Sequence, residues 1–183
     1  MAAKQDSLPT APPASAGPDL STGPDPSGPP PPAFLAATGA HLAGVAADAG
    51  LRSAVAMMLD PGAGAADWLG PLRAGAGPAL RIVAGRPELP ATLALCPVPL
   101  ATAADIDRAA AAFAAIRSTA ECRLALIAAP DLLAALLRRA PFLNSVDSLC
   151  DGLAAGIGRA CLAETVQSLP GTGGTLLVLR VLQ

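Results

Sequence analysis

Apolar residues recur with a helical period in five stretches of the chain, and between these lie short runs that are apolar almost throughout. The first stretch carries Leu35, Thr38, Leu42, Val45 and Ala49. This spacing places them on one face of a helix, with Pro32 suited to its first turn and Gly50 to its stop. Trp68, Leu69 and Leu72 mark a short second helix over 65–73. A third is entered through Thr102 and Asp105 as capping residues and carries Ile106, Ala109, Ala110, Phe113 and Ile116. The fourth opens at Pro130 and Asp131 and presents Leu132, Leu133, Leu136 and Leu137. It closes on Arg138 and Arg139, where cations suit the helix dipole, ahead of Pro141.

The fifth pattern is the longest. From Ser145 to Leu169 one stripe runs through Val146, Leu149, Cys150, Leu153, Ile157 and Cys161, and a second begins with Leu162, Val166 and Leu169. Read as one helix, or as one broken around its glycines, it is apolar on two sides, the mark of a helix that is buried or shared with a neighbouring molecule. Gly152 and Gly156 lie one turn apart and would let another backbone approach.

Between the helices, "SAVAMM", "ALRIVAG", "ATLALC" and "CRLALIA" read as strands, and "TLLVLRVL" reads as a central strand buried on both faces. "RPELP" between the second and third suits a hairpin or a loop at a sheet edge. The order predicts an α/β fold in a single domain, a mixed or mostly parallel sheet of about five strands with helices packed on it.

Composition sets the boundaries. Ten of the 20 prolines fall within residues 1–32. Those residues therefore read as a disordered Pro-rich tail, a spacer of polyproline II character, and 33–183 as the folded domain. With no tyrosine, three phenylalanines and one tryptophan, the core must be aliphatic. Arginine outnumbers lysine eleven to one in an Ala-, Gly- and Pro-rich chain, which suggests a bacterial source. A net charge of −2 gives no overall field to gather nucleic acid or an anionic membrane; no basic cluster exceeds the pair Arg138-Arg139, and no aromatic platform is present for stacking bases, which argues against nucleic acid. No secretory h-region opens the chain, and no apolar run reaches the roughly 20 residues of a membrane span. A cytoplasmic protein is expected.

Candidate chemistry is sparse. His41, the one histidine, sits in "ATGAHLAGV", but no Lys-Ser/Thr follows Gly44 as in a phosphate loop. The segment reads as helix, and His41 as a partly buried structural residue. "PGTGGT" at 170–175 follows a predicted helix and precedes a strand, the reverse of a phosphate cradle. Asp105 and Asp107 suit a helix start better than a metal pair. Glu164 is expected at a helix edge. Cys96, Cys122, Cys150 and Cys161 form no C-x-x-C pair and read as reduced core residues; Cys150 and Cys161, on one helix, would lie about 16 Å apart. No metal or cofactor is expected. Ligands of open α/β sheets bind beyond the carboxyl ends of strands, which makes Asp60, Cys96 and Asp131 weak catalytic candidates beside His41.

The expected function is a non-catalytic binding or regulatory module. It would act on a protein partner, or by self-association into a homo-oligomer, through Gly152, Leu153, Gly156 and Ile157. The alternative is a small enzyme on a nucleotide-binding-like sheet, acting on a small molecule.

Overall fold

A computed structural model describes residues 30–57, 59, 66–84, 91–139, 141–169 and 173–182. Six strands, β1 (Ser53–Ala56), β2 (Arg81–Ala84), β3 (Ala91–Leu100), β4 (Ser118–Ala128), β5 (Cys161–Ser168) and β6 (Thr175–Val181), form one sheet. Its order is β2-β1-β3-β4-β6-β5. The first four strands pair in parallel, and β6 runs antiparallel between β4 and β5. Helices α1 (Pro32–Asp48), α2 (Ala66–Ala76), α3 (Ala103–Ala114), α4 (Pro130–Arg139) and α5 (Ser145–Ile157) cover it. The expected α/β class holds, with a sixth strand, and β6 is central as its apolar run predicts. Apart from 30–32, of which Pro32 belongs to α1, the segment 1–32 lies outside the described residues.

The strands separate two cores because successive side chains point to opposite faces. Leu124 and Leu126 of β4, with Leu177 and Leu179 of β6, join Phe113, Leu149 and Leu153 under α3, α4 and α5. Ala125, Ile127, Leu176 and Val178 join Leu35, Leu42, Trp68 and Leu72 under α1 and α2. An alanine-rich chain with few rings fills these layers by bringing backbones close. A β-carbon on Gly39 would lie 2.1 Å from the Leu72 carbonyl oxygen, and one on Gly75 would lie 1.9 Å from that of Ala36. The first glycine of "ATGAHLAGV" is therefore a packing residue between α1 and α2. Thr38 is fully buried beside it and satisfies its hydroxyl on the Phe34 carbonyl oxygen at 2.9 Å.

Three sequence expectations are corrected. The 145–169 stretch is not one helix. It ends at Ile157, capped by Gly158 at φ +73°, and Cys161–Ser168 is the edge strand β5. The second stripe therefore lies on β5, where Leu162 and Val166 are about half exposed, and Cys150 and Cys161 do not share a helix. The "PGTGGT" run thus follows a strand, not a helix; its residues 170–172 lie outside the described residues, and Thr175 opens β6. Finally, of the two readings of the β2–β3 connection the hairpin fails, because both strands pair in parallel with β1, which lies between them, while β2 does stand at the sheet edge. The intervening "RPELP" is outside the described residues.

Candidate functional site

The chain passes from β1 through α2 outward to β2, then returns across β1 to β3. The direction of winding thus reverses between β1 and β3, which makes their carboxyl ends a topological switch point. The β1 end is fixed to β3 by the Met57 amide, which donates to the Leu95 carbonyl oxygen at 2.6 Å. The connection from β1 to α2 reads "MMLDPGAGA" over 57–65. Of it, only Met57 and Leu59 are described; candidate Asp60 lies outside the described residues. On the other side, β3 shifts register against β4 between Cys96 and Leu100, across Pro97 and Pro99, and leads directly into α3.

The start of α3 is closed by its own acid. Asp105 Oδ2 accepts from the amides of Ala101 (2.9 Å) and Thr102 (2.8 Å) and from the Thr102 hydroxyl (3.0 Å). Arg108 pairs with the other carboxylate oxygen. Burial alone would raise the Asp105 pKa, but these four donors outweigh it and hold the carboxyl below its ordinary range. The carboxylate reaches back from the first turn of α3 to the amides that lead into it, as expected of a capping residue.

Next to it, an open cleft of about 480 Å³ separates Ala101, Thr102 and Ala103 from Leu132, Ala135, Leu136, Arg138 and Arg139 of α4. Asp131 stands exposed in the first turn of α4, where an acid suits the helix dipole. Cys96 is fully buried, and its thiol donates to the Val98 carbonyl oxygen at 3.4 Å. Burial pushes its pKa up to about 12, with the Asp105 charge adding to the rise against the hydrogen bond. Such a thiol is not a nucleophile near neutral pH.

His41 lies elsewhere, on the sheet face that α1 covers. It lines a second cleft, of about 490 Å³, with Gly44, Asp48, Arg123, Glu164 and Gln167. Gln167 Nε2 stands 3.0 Å from His41 Nδ1, within hydrogen-bonding distance. The structure brings His41 to Gln167 and Glu164 and keeps it apart from Cys96 and Asp131. Glu164 sits at a bulge in β5 between Ala163 and Thr165, not at a helix edge. Arg123 Nε donates to it at 2.7 Å and Arg180 Nε at 2.5 Å. Burial opposes ionisation there, yet the two guanidinium groups hold the carboxyl below its ordinary range. Its charge is already matched, so it is no proton donor.

Gly152 and Gly156 do provide a close approach, and what they meet is α3 of the same chain. A β-carbon on Gly152 would lie 3.3 Å from Ile106 Cγ2, and one on Gly156 would lie 2.6 Å from Ala110 Cβ. Both pairs step by four residues, so α3 and α5 run parallel. Leu153 is fully buried and Ile157 packs against the same core. Sequence reasoning missed Gln167, whose strand it took for helix, and the Arg138–Arg139 contribution to the α4 cleft, which it assigned to the dipole alone. Among the described residues no three His, Cys, Asp or Glu side chains converge as a metal site. All four cysteines are free and buried, as expected. No protein-family model matches the chain, and no curated protein is detectably similar to it in sequence.

Proposed function

We propose that the protein binds a small molecule carrying a nucleoside or phosphate group, seated at the carboxyl ends of β1 and β3. The observation that carries this reading is the reversal of winding between those two strands, the place where open α/β sheets receive ligands. The sequence supports it: Gly62 and Gly64 fall between β1 and the start of α2, the order strand, glycine-bearing connection, helix that suits backbone amides for a phosphate. The apolar-helix reading has less to stand on, because the 145–157 helix uses its glycines on α3. Binding rather than a named reaction is proposed, since the buried Cys96 and the exposed Asp131 form no catalytic set. The test is a thermal-shift and calorimetric panel of ATP, NAD⁺ and S-adenosylmethionine on the full chain. One of them should raise the melting temperature by several degrees at a hundredfold excess over its Kd, and Gly64→Val should remove the shift. No response to any of the three overturns the reading.

Self-association stays as a second reading because β5 is a sheet edge with Leu162 and Val166 about half exposed, and edge strands template pairing with another chain. Native mass spectrometry checks it: a dimer that Val166→Lys converts to monomer supports pairing through β5, and a monomeric wild type rejects it.

A further inference from the structure

Of the four aromatic residues, Phe34, Trp68 and Phe113 are no more than 8% exposed, whereas Phe142 is 98% exposed. Phe142 lies on the turn between α4 and α5, beside Leu143 (44%) and close in sequence to Leu137 (50%). Arg138 and Arg139 stand exposed between Leu137 and this turn. Among the described residues neither arginine makes an ion pair. The nearest acid beyond the turn, Asp147, is engaged with Asn144, whose Nδ2 donates to Asp147 Oδ2 at 2.5 Å. The end of α4 and the turn after it thus carry, within seven residues of sequence, three exposed apolar side chains and two guanidinium groups without an ion pair among the described residues, in a chain whose other phenylalanine and tryptophan rings are buried.

We infer that this turn inserts into the surface of an anionic lipid bilayer, with Phe142 and Leu143 entering the acyl boundary and Arg138 and Arg139 at the headgroups. Three facts choose a bilayer as the occupant. The patch holds only three apolar side chains, far short of the 20 to 30 residues per side of a typical protein interface. Phenylalanine and leucine are side chains that enter the headgroup and acyl boundary, with binding that scales with the apolar area buried and with attraction to anionic lipid. Long arginine stems can lie along apolar surface while their heads reach phosphate. This is peripheral attachment; no described helix is long and apolar enough to cross a membrane. The inference does not rest on the ligand reading above.

Phe142→Trp places a reporter at the tip, and Trp68, the one native tryptophan, is buried and supplies the background to subtract. In the full chain, vesicles of phosphatidylcholine with about a third phosphatidylglycerol should shift the emission of the introduced indole to the blue, and brominated acyl chains should quench it. Arg138→Gln with Arg139→Gln should weaken vesicle partitioning about 30-fold, from about fivefold per charge. Phe142→Ser with Leu143→Ser should abolish it, with an unchanged circular dichroism spectrum confirming the fold. No emission change on vesicle addition overturns the inference. So does equal binding to pure phosphatidylcholine, or binding that survives the Phe142→Ser, Leu143→Ser change.

Discussion

Gly156 faces Ala110 so closely that a β-carbon on the glycine would lie 2.6 Å from that of the alanine. The contact locks α5 to α3, and an alanine β-carbon has no rotamer by which to move aside. Gly156→Ala should therefore destabilise the fold by about 1–2 kcal/mol, because the overpacking outweighs the roughly 1 kcal/mol that alanine gains in helix propensity. Gly156→Leu should cost more and unfold the domain before it affects any oligomer. Ala110→Gly should recover part of the loss in a double-mutant cycle read by urea unfolding. A Gly156→Ala protein more stable than wild type contradicts the packing.

How much of this was legible in the sequence depends on where a segment lies in the sheet. The strands β3, β4 and β6 are buried on both faces and read as continuous apolar runs. The helices α1, α3 and α4 face one core each and show one clean stripe. The segment 159–169 failed because β5 is an edge strand whose bulge at Glu164 interrupts the alternation of faces. Two adjacent residues, Glu164 and Thr165, then line the cleft on the α1 side, and the leftover spacing of Leu162 and Val166 imitates a helical stripe. The informative signal was Gly158, a C-cap glycine one residue past Ile157. The carboxyl-edge site needed strand order, which no local pattern contains.

Arg159 follows that cap and pairs with no carboxylate among the described residues. It spends its donors on the chain itself: Nε on the Leu182 carbonyl oxygen (2.9 Å), Nη1 on the Ser118 hydroxyl (2.8 Å) and Nη2 on the Ala120 carbonyl oxygen (2.9 Å). One guanidinium thus ties the ends of β6 and β4 to the turn after α5. A lysine ammonium cannot span these three directions from one planar fork. Arg159→Lys should lose about 3 kcal/mol, two charge-assisted hydrogen bonds at about 1.5 kcal/mol each. Loss of amide-exchange protection in residues 175–182 should accompany it. An unchanged unfolding midpoint removes Arg159 from this role.

Asp105 makes stability depend on acid. Its folded pKa is depressed below the ordinary 3.8, so its stabilising contribution is present above that value and is lost as pH falls through the lower, folded value. Asp105→Asn keeps the shape but removes the charge that the Ala101 and Thr102 amides and Arg108 face. It should cost about 1–2 kcal/mol at pH 7, and the gap to wild type should shrink as pH falls below the ordinary 3.8 and through the lower, folded value. Parallel pH profiles for the two proteins would show that the carboxylate contributes by shape alone.

The cysteines predict the opposite limb. Burial pushes Cys96 up to about 12 and Cys122 and Cys150 up to about 11, and it raises Cys161. At Cys150 the fields of Cys161, Asp147 and Asp151 add to burial; at Cys122 the nearby Arg159 and Arg123 temper it. At pH 8 a thiol with a pKa of about 11 is only about 0.1% thiolate, roughly a hundredfold less than one at 9. Ellman's reagent should therefore leave all four thiols nearly untouched in the native protein and titrate all four in urea. Because these folded pKa values exceed the unfolded one, the stabilisation is complete below pH 9. It drains away as the unfolded chain ionises first, so the urea midpoint should fall steadily from pH 9 to pH 11. A thiol that reacts at native pH 8 as fast as in urea would show that its pocket opens freely to solvent, and would remove it from the closed core assigned here.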